Sequence, residues 1–184
     1  NTGKVLEVTE PEPHEVIAKE AAYLITNMME DVVQRGTGQA AKVLGRPIAG
    51  KTGTTNDYIN AWFIGGTPNL VCGVYVGFDD RRSLGESETG ARSALPIWIA
   101  FMKEALKQLP VMPFEIPDGV TFVKVDSSTG LLESEQEGEG HKGTVELFTK
   151  GSEPTQAVQR RQDPMDFYKL DQIPEGQPAG DGNL

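Results

Sequence analysis

The 184-residue chain carries a formal net charge of -10, with 27 acidic against 17 basic side chains, a balance that repels a phosphate backbone and argues against nucleic acid as a partner. Cys72 is its single cysteine, which excludes an internal disulfide framework, and the two histidines, His14 and His141, are too far apart to suggest a zinc site, so no metal and no cofactor are expected. No apolar run approaches the roughly 18–20 residues of a membrane span, and Asn1 opens no signal-peptide pattern, so the start reads as a cut with any anchor or export signal expected upstream.

In chain order, Lys4 to Thr9 alternate weakly and read as a short strand closed by Pro11 and Pro13. From Glu15 to Arg35 the residues Ile17, Ala21, Leu24, Ile25, Met28 and Val32 recur at steps of three and four, with Gly36 as the stop, which predicts a helix. Three segments of strand character follow, at Pro47–Thr54, Tyr58–Gly65 and Leu70–Phe78. Gly66-Thr67-Pro68-Asn69 is a hairpin signal, so the three should form an antiparallel meander. Leu95–Gln108 predicts a second helix with Pro96 in its first turn.

Trp62, Phe63 and Trp98 read as core between sheet and helix, and Cys72 as an inert small hydrophobe in an apolar strand. Beyond Pro110 the character changes. Val120–Val125 and the turn Asp126–Gly130 suggest one hairpin, whereas Glu133–Gly140 holds no apolar residue and predicts a solvated, mobile stretch, as does the chain after Gly176.

Two motifs share one lysine. Gly45-Arg46-Pro47-Ile48-Ala49-Gly50-Lys51-Thr52 fits the phosphate-loop pattern G-x-x-x-x-G-K-[ST] in full. That loop must follow a strand and open a helix, because backbone N–H groups at a helix N-terminus hold the phosphates. Here a helix precedes it, strand-like residues follow it, and Pro47 removes one donor. A nucleotide-binding domain therefore stays only as an alternative, beside a non-catalytic interaction module that uses the acidic tail.

The other motif is Lys51-Thr52-Gly53, the strand signature of serine acyl enzymes that act on D-alanyl peptides and β-lactams. Such chemistry needs a cation and hydroxyls for the substrate carboxylate, and a strand edge for the peptide. Lys51, Thr52 and Thr54 supply the first two, Gly53 allows close approach of a backbone, and the Thr54 N–H could meet a developing oxyanion. Thr55 continues the same wall.

The triplet is short, but it sits in a longer context: Gly36-Thr37-Gly38, Gly50 to Asp57, Ala61-Trp62-Phe63-Ile64-Gly65, Val74 to Asp80, Gly90-Ala91, Pro96-Ile97-Trp98, Pro117-Asp118-Gly119 and Asp126 to Leu131. Over most of residues 1 to 155 the chain thus resembles class A penicillin-binding proteins. The resemblance implies part of the α+β fold shared by serine β-lactamases and penicillin-binding transpeptidases, an antiparallel sheet with flanking helices, followed by a loop-rich tail. It places residues 1–109 in the C-terminal part of the transpeptidase domain and leaves 110–184 as an extension.

What the resemblance implies about function is a membrane-anchored enzyme of peptidoglycan synthesis on the outer side of the inner membrane, with a glycosyltransferase domain elsewhere. Its partners would be stem peptides ending in D-Ala-D-Ala, and β-lactams. The family's S-x-x-K and S-x-N motifs do not occur here. Tyr58-Ile59-Asn60 matches a Y-x-N variant, but it follows the Lys-Thr-Gly strand where the family's motif precedes it, and it reads as the start of the next strand. The acylating serine is therefore expected from outside this chain, which alone should be inactive. The missing half of the fold should leave apolar surface exposed, with marginal stability and self-association as consequences.

Overall fold

A computed structural model describes residues 14–133 and 143–158. The expected strand at Lys4–Thr9, most of the acidic stretch and the residues after Gly176 lie outside the described residues. The described residues divide into two compact units, one of residues 14–122 with Leu147–Glu153, the other of residues 123–133, 143–146 and 154–158.

The first unit begins with helix α1, Lys19–Gln34. It starts four residues later than the periodicity suggested. Ala18 is extended (φ -60°, ψ 140°), and the apolar side chains ahead of it, Val16 and Ile17, are exposed, so no burial offsets the cost of adding a turn. The stop is where the glycine put it: the Gly36 N–H donates to the Asp31 and Val32 carbonyls, and the Gly38 N–H to Val32 O at 2.9 Å. A Cβ on Gly36 would lie 2.9 Å from Val32 Cα, so this close return needs glycine.

A 3-10 turn at Gln39–Leu44 leads through Gly45 (φ 64°) to β1, Ala49–Thr54. Strands β2, Asn60–Thr67, and β3, Leu70–Gly77, complete an antiparallel sheet in the order β1-β2-β3. The meander is as expected, but β2 runs two residues into the predicted turn, leaving Pro68 and Asn69 as the whole connection to β3, which starts at Leu70 as expected. A run Gly90–Ala94 in a wide π-type turn then feeds helix α2, Leu95–Ala105, with Pro96 in its first turn. The helix is shorter than Leu95–Gln108 because its end tightens: Lys107 N–H reaches Glu104 O and Leu109 N–H reaches Leu106 O, just before Pro110.

The core gathers Val33, Ala41, Ile48, Phe63, Ala94, Leu95, Trp98, Met102 and Leu106. Phe63 and Trp98 meet edge to face, centroids 4.9 Å apart and planes at 69°, an arrangement worth about 0.5–1.5 kcal/mol beyond the area it buries. The Trp98 indole also donates to Cys72 O at 3.0 Å, so the polar atom of this buried ring is satisfied.

Trp62 departs from the expectation that it is core. Neighbours along a strand point to opposite faces, so with Phe63 fully buried, Trp62 turns outward and is 40% exposed. It packs instead on Tyr75, with ring centroids 4.8 Å apart. Ile64 and Val71 are exposed on the same sheet face.

The remaining strands are β4, Val120–Asp126, and β5, Gly143–Thr149, paired in a two-stranded sheet. This corrects the single-hairpin expectation. Among the described residues the chain returning after the turn at Asp126–Gly130 makes only the bridge Val125–Leu132 with β4, and the strand paired with β4 is β5, beyond the acidic stretch. The turn itself forms: in the second unit Asp126 Oδ1 accepts from the N–H and hydroxyl groups of both Ser128 and Thr129, and these bonds hold its carboxyl down to about 2.

Candidate functional site

The phosphate-loop alternative fails on geometry. Gly50, Lys51 and Thr52 lie inside β1, preceded by a 3-10 turn and followed, before β2, only by the three-residue 3-10 turn Asn56–Tyr58 and no α-helix, so the N–H groups that would cradle phosphates are spread along a strand.

Among the described residues β1 is an edge of the sheet, hydrogen-bonded only to β2. Its register pairs Lys51 with Ile64, Thr52 with Phe63, Gly53 with Trp62 and Thr54 with Ala61, and Thr55 N–H donates to Asn60 O at 3.0 Å. Because backbone groups on an antiparallel strand alternate in direction, Lys51, Gly53 and Thr55 turn toward β2. The N–H and C=O groups of Thr52 and Thr54 face the open edge.

The side chains add to that edge. Lys51 Nζ curls over it and donates to Thr52 O at 3.0 Å. Thr52 Oγ1 lies 2.8 Å from Thr37 Oγ1, which comes from the glycine-flanked turn after α1. One short stretch of edge thus carries an exposed ammonium, two hydroxyls and outward N–H groups, a set that suits an extended peptide ending in a carboxylate.

The other candidate residues are placed differently. Thr54 Oγ1 accepts the Gly90 N–H at 3.1 Å, so its acceptor side is used to fasten the strand, while its own hydrogen stays available. Thr55 Oγ1 accepts the Asn60 N–H at 2.8 Å and closes the loop between β1 and β2. A Cβ on Gly53 would come 3.2 Å from Trp62 Cβ, so glycine lets the tryptophan lie close against the strand. Of the Tyr58-Ile59-Asn60 triplet, Asn60 opens β2 as expected, whereas Tyr58 sits in the preceding turn with φ 53°.

An open groove of about 740 Å³ leads away from Thr54 and Thr55 past Asn60, Tyr75 and Phe78 to Asp79. Sequence reasoning did not find it. Its walls come from the loop after β1 and the far end of β3, which only the strand register brings together; Tyr75 Oη donating to Asn60 Oδ1 at 2.8 Å joins the two sides. Among the described residues no cluster of potential metal ligands is present, and no helix is long and apolar enough to cross a membrane.

The described strands and helices thus form an α+β unit whose edge strand presents Lys-Thr-Gly. Comparison with known proteins gives its class: the model of the penicillin binding protein transpeptidase domain matches residues 4–102, and the chain belongs to that family. Penicillin-binding protein 1A of Rickettsia conorii is 44% identical over 128 residues, covering 70% of this chain and 16% of that protein. The protein of the same name from Aquifex aeolicus is 41% identical over 152 residues, covering 83% of the chain and 20% of that protein. The crystal structure of penicillin-binding protein 1A from Haemophilus influenzae superposes with a TM-score of 0.70 at 38% identity, over 78% of this chain and 22% of that one. The chain thus spans a fifth or less of the length of these curated relatives, and it folds as part of the transpeptidase domain.

Proposed function

We propose that this chain supplies the Lys-Thr-Gly wall of a serine D,D-transpeptidase that cross-links peptidoglycan, and that the acylating serine lies in a part of the longer protein outside these residues. The observation that carries the reading is the convergence of Lys51 Nζ, Thr52 Oγ1 and the outward N–H groups of Thr52 and Thr54 on one free edge.

A stem peptide ending in D-Ala-D-Ala would lie along β1 as an added strand. Its carboxylate draws the Lys51 ammonium off Thr52 O and accepts from the Thr52 hydroxyl, with the hydrogen of Thr54 as a further donor. Serine attack on the penultimate carbonyl forms a tetrahedral oxyanion that the Thr54 N–H stabilises; removing one such donor typically costs a hundredfold or more in rate. Collapse expels the terminal D-alanine with a proton and leaves an ester, which the amine of a second stem peptide then resolves to an amide. A β-lactam follows the first half of that path and stops at the ester.

Within the same reading, residues 1–109 form the C-terminal part of the transpeptidase domain and 110–184 an extension; the family match ends at residue 102, inside the first segment. The parent would be anchored to the inner membrane, work on its outer side, and carry a glycosyltransferase domain. The exposed face of Trp62, Ile64, Val71 and Tyr75 would be covered by the remainder of the domain, or in the isolated chain by another copy.

Fluorescent penicillin tests the proposal. The full-length protein should take the label covalently and the isolated 184-residue chain should not. Labelling of the isolated chain, or none of the full-length protein, would overturn it.

A further inference from the structure

We propose that Thr37 is a positioning residue that fixes the proton of the Thr52 hydroxyl so that Thr52 donates to the ligand's carboxylate. The inference rests on the transpeptidase reading and assigns a role to a residue outside the Lys-Thr-Gly strand. Its basis is the 2.8 Å contact between Thr37 Oγ1 and Thr52 Oγ1, in which either oxygen can be the donor.

A hydroxyl has one hydrogen to give. While Thr52 donates to Thr37, it presents only lone pairs to an incoming carboxylate, which repel it. When Thr37 donates to Thr52, the Thr52 hydrogen is free to point outward, and the bond received by its oxygen makes it a stronger donor. A carboxylate at the edge therefore selects the second arrangement, and only a donor at position 37 supports it.

The backbone aims Thr37 at that spot. Its neighbours Gly36 and Gly38 both bond back to Val32 O, at 3.1 and 2.9 Å. A Cβ on Gly38 would come 3.2 Å from the same carbonyl, so the turn is too tight for ordinary residues and holds Thr37 against β1. Among the described residues neither threonine hydroxyl has another hydrogen bond. Thr37 is exposed, where one hydroxyl pair adds little to folding stability, so its placement is better explained by the site than by the fold.

The test measures the acylation rate of the full-length protein by benzylpenicillin and by its methyl ester, which lacks the carboxylate charge, for wild type, Thr37→Val, Thr37→Ser, Thr52→Val and the Thr37→Val/Thr52→Val pair. Thr37→Val should slow benzylpenicillin acylation about fivefold, the scale of one hydrogen bond. Thr37→Ser should restore the rate, the ester should not distinguish Thr37→Val from wild type, and Thr37→Val should add nothing in the Thr52→Val background. Equal rates for wild type and Thr37→Val, or a loss shared by the ester or additive with Thr52→Val, would overturn the inference alone. Failure of the wild-type protein to take penicillin at all would remove the transpeptidase reading and this inference with it.

Discussion

The Gly90 N–H donates to Thr54 Oγ1 across 3.1 Å, which ties the last residue of β1 to the turn that launches α2. A Cβ on Gly90 would fall 2.2 Å from Trp62 O and 2.7 Å from Gly53 O. Both are backbone atoms within the β1-β2 ladder, so neither can swing aside.

Gly90→Ala should therefore push the turn off the sheet and shift the Thr54 N–H from its place. Overpacking of this kind costs about 1–3 kcal/mol, and more where backbone must move. Penicillin acylation by the full-length protein should fall at least tenfold, while Gly85→Ala, in the preceding loop and away from the strand, should leave acylation within about twofold even though its φ of 127° strains the local backbone. Unchanged acylation in Gly90→Ala would show that the bond to Thr54 does not position the strand.

Trp98 joins α2 to β2 through its ring, which packs on Phe63, and to β3 through its indole N–H, which donates to Cys72 O. Trp98→Phe keeps an aromatic but leaves a void and removes the bond to Cys72 O, a combined loss of about 2–3 kcal/mol. Hydrogen exchange at β2 and β3 amides in the full-length protein should quicken accordingly. Exchange at the wild-type rate would mean that the sheet does not depend on this helix.

Asp126 gives the turn of the second unit a pH dependence of known sign. Its folded-state pKa, about 2, is below the ordinary 3.8, so the unfolded chain binds the proton more readily. The carboxylate's contribution is complete above about pH 4 and fades as pH falls through 2. An NMR titration of the Asp126 carboxyl should show its midpoint near 2, and a midpoint near 3.8 would mean that the Ser128 and Thr129 donors do not act on it.

What could be read from sequence follows from how local each signal is. The α1 periodicity, the Gly36 stop and the three strands are set by neighbours a few residues apart, and all of them form, with α1 starting four residues and β1 and β2 two residues later than expected. Lys51–Thr55 was legible as a motif, and the structure adds which groups face outward, because that depends on pairing with β2. β5 has only three apolar side chains, Val145, Leu147 and Phe148, interrupted by Glu146 and preceded by a polar stretch, and its partner β4 is some twenty residues earlier, so no local pattern marks it. Trp62 was assigned to the core on residue type alone, where alternation with Phe63 should have turned it out. Thr37 and the groove beside Tyr75 arise from contacts across 15 residues or more, which no local pattern encodes.

In the proposed function Lys51 and Thr52 recognise a substrate whose bond is broken by a serine elsewhere in the protein. Mass spectrometry of the acylated peptide, after the full-length protein reacts with benzylpenicillin, separates that division of labour from its alternatives. The adduct should fall on a serine outside residues 1–184, and Lys51→Ala should reduce its yield at a fixed short time by about tenfold or more, the scale of a lost charged hydrogen bond. An adduct on Ser83, Ser87, Ser93 or any other residue of this chain, or full yield from Lys51→Ala, would contradict it.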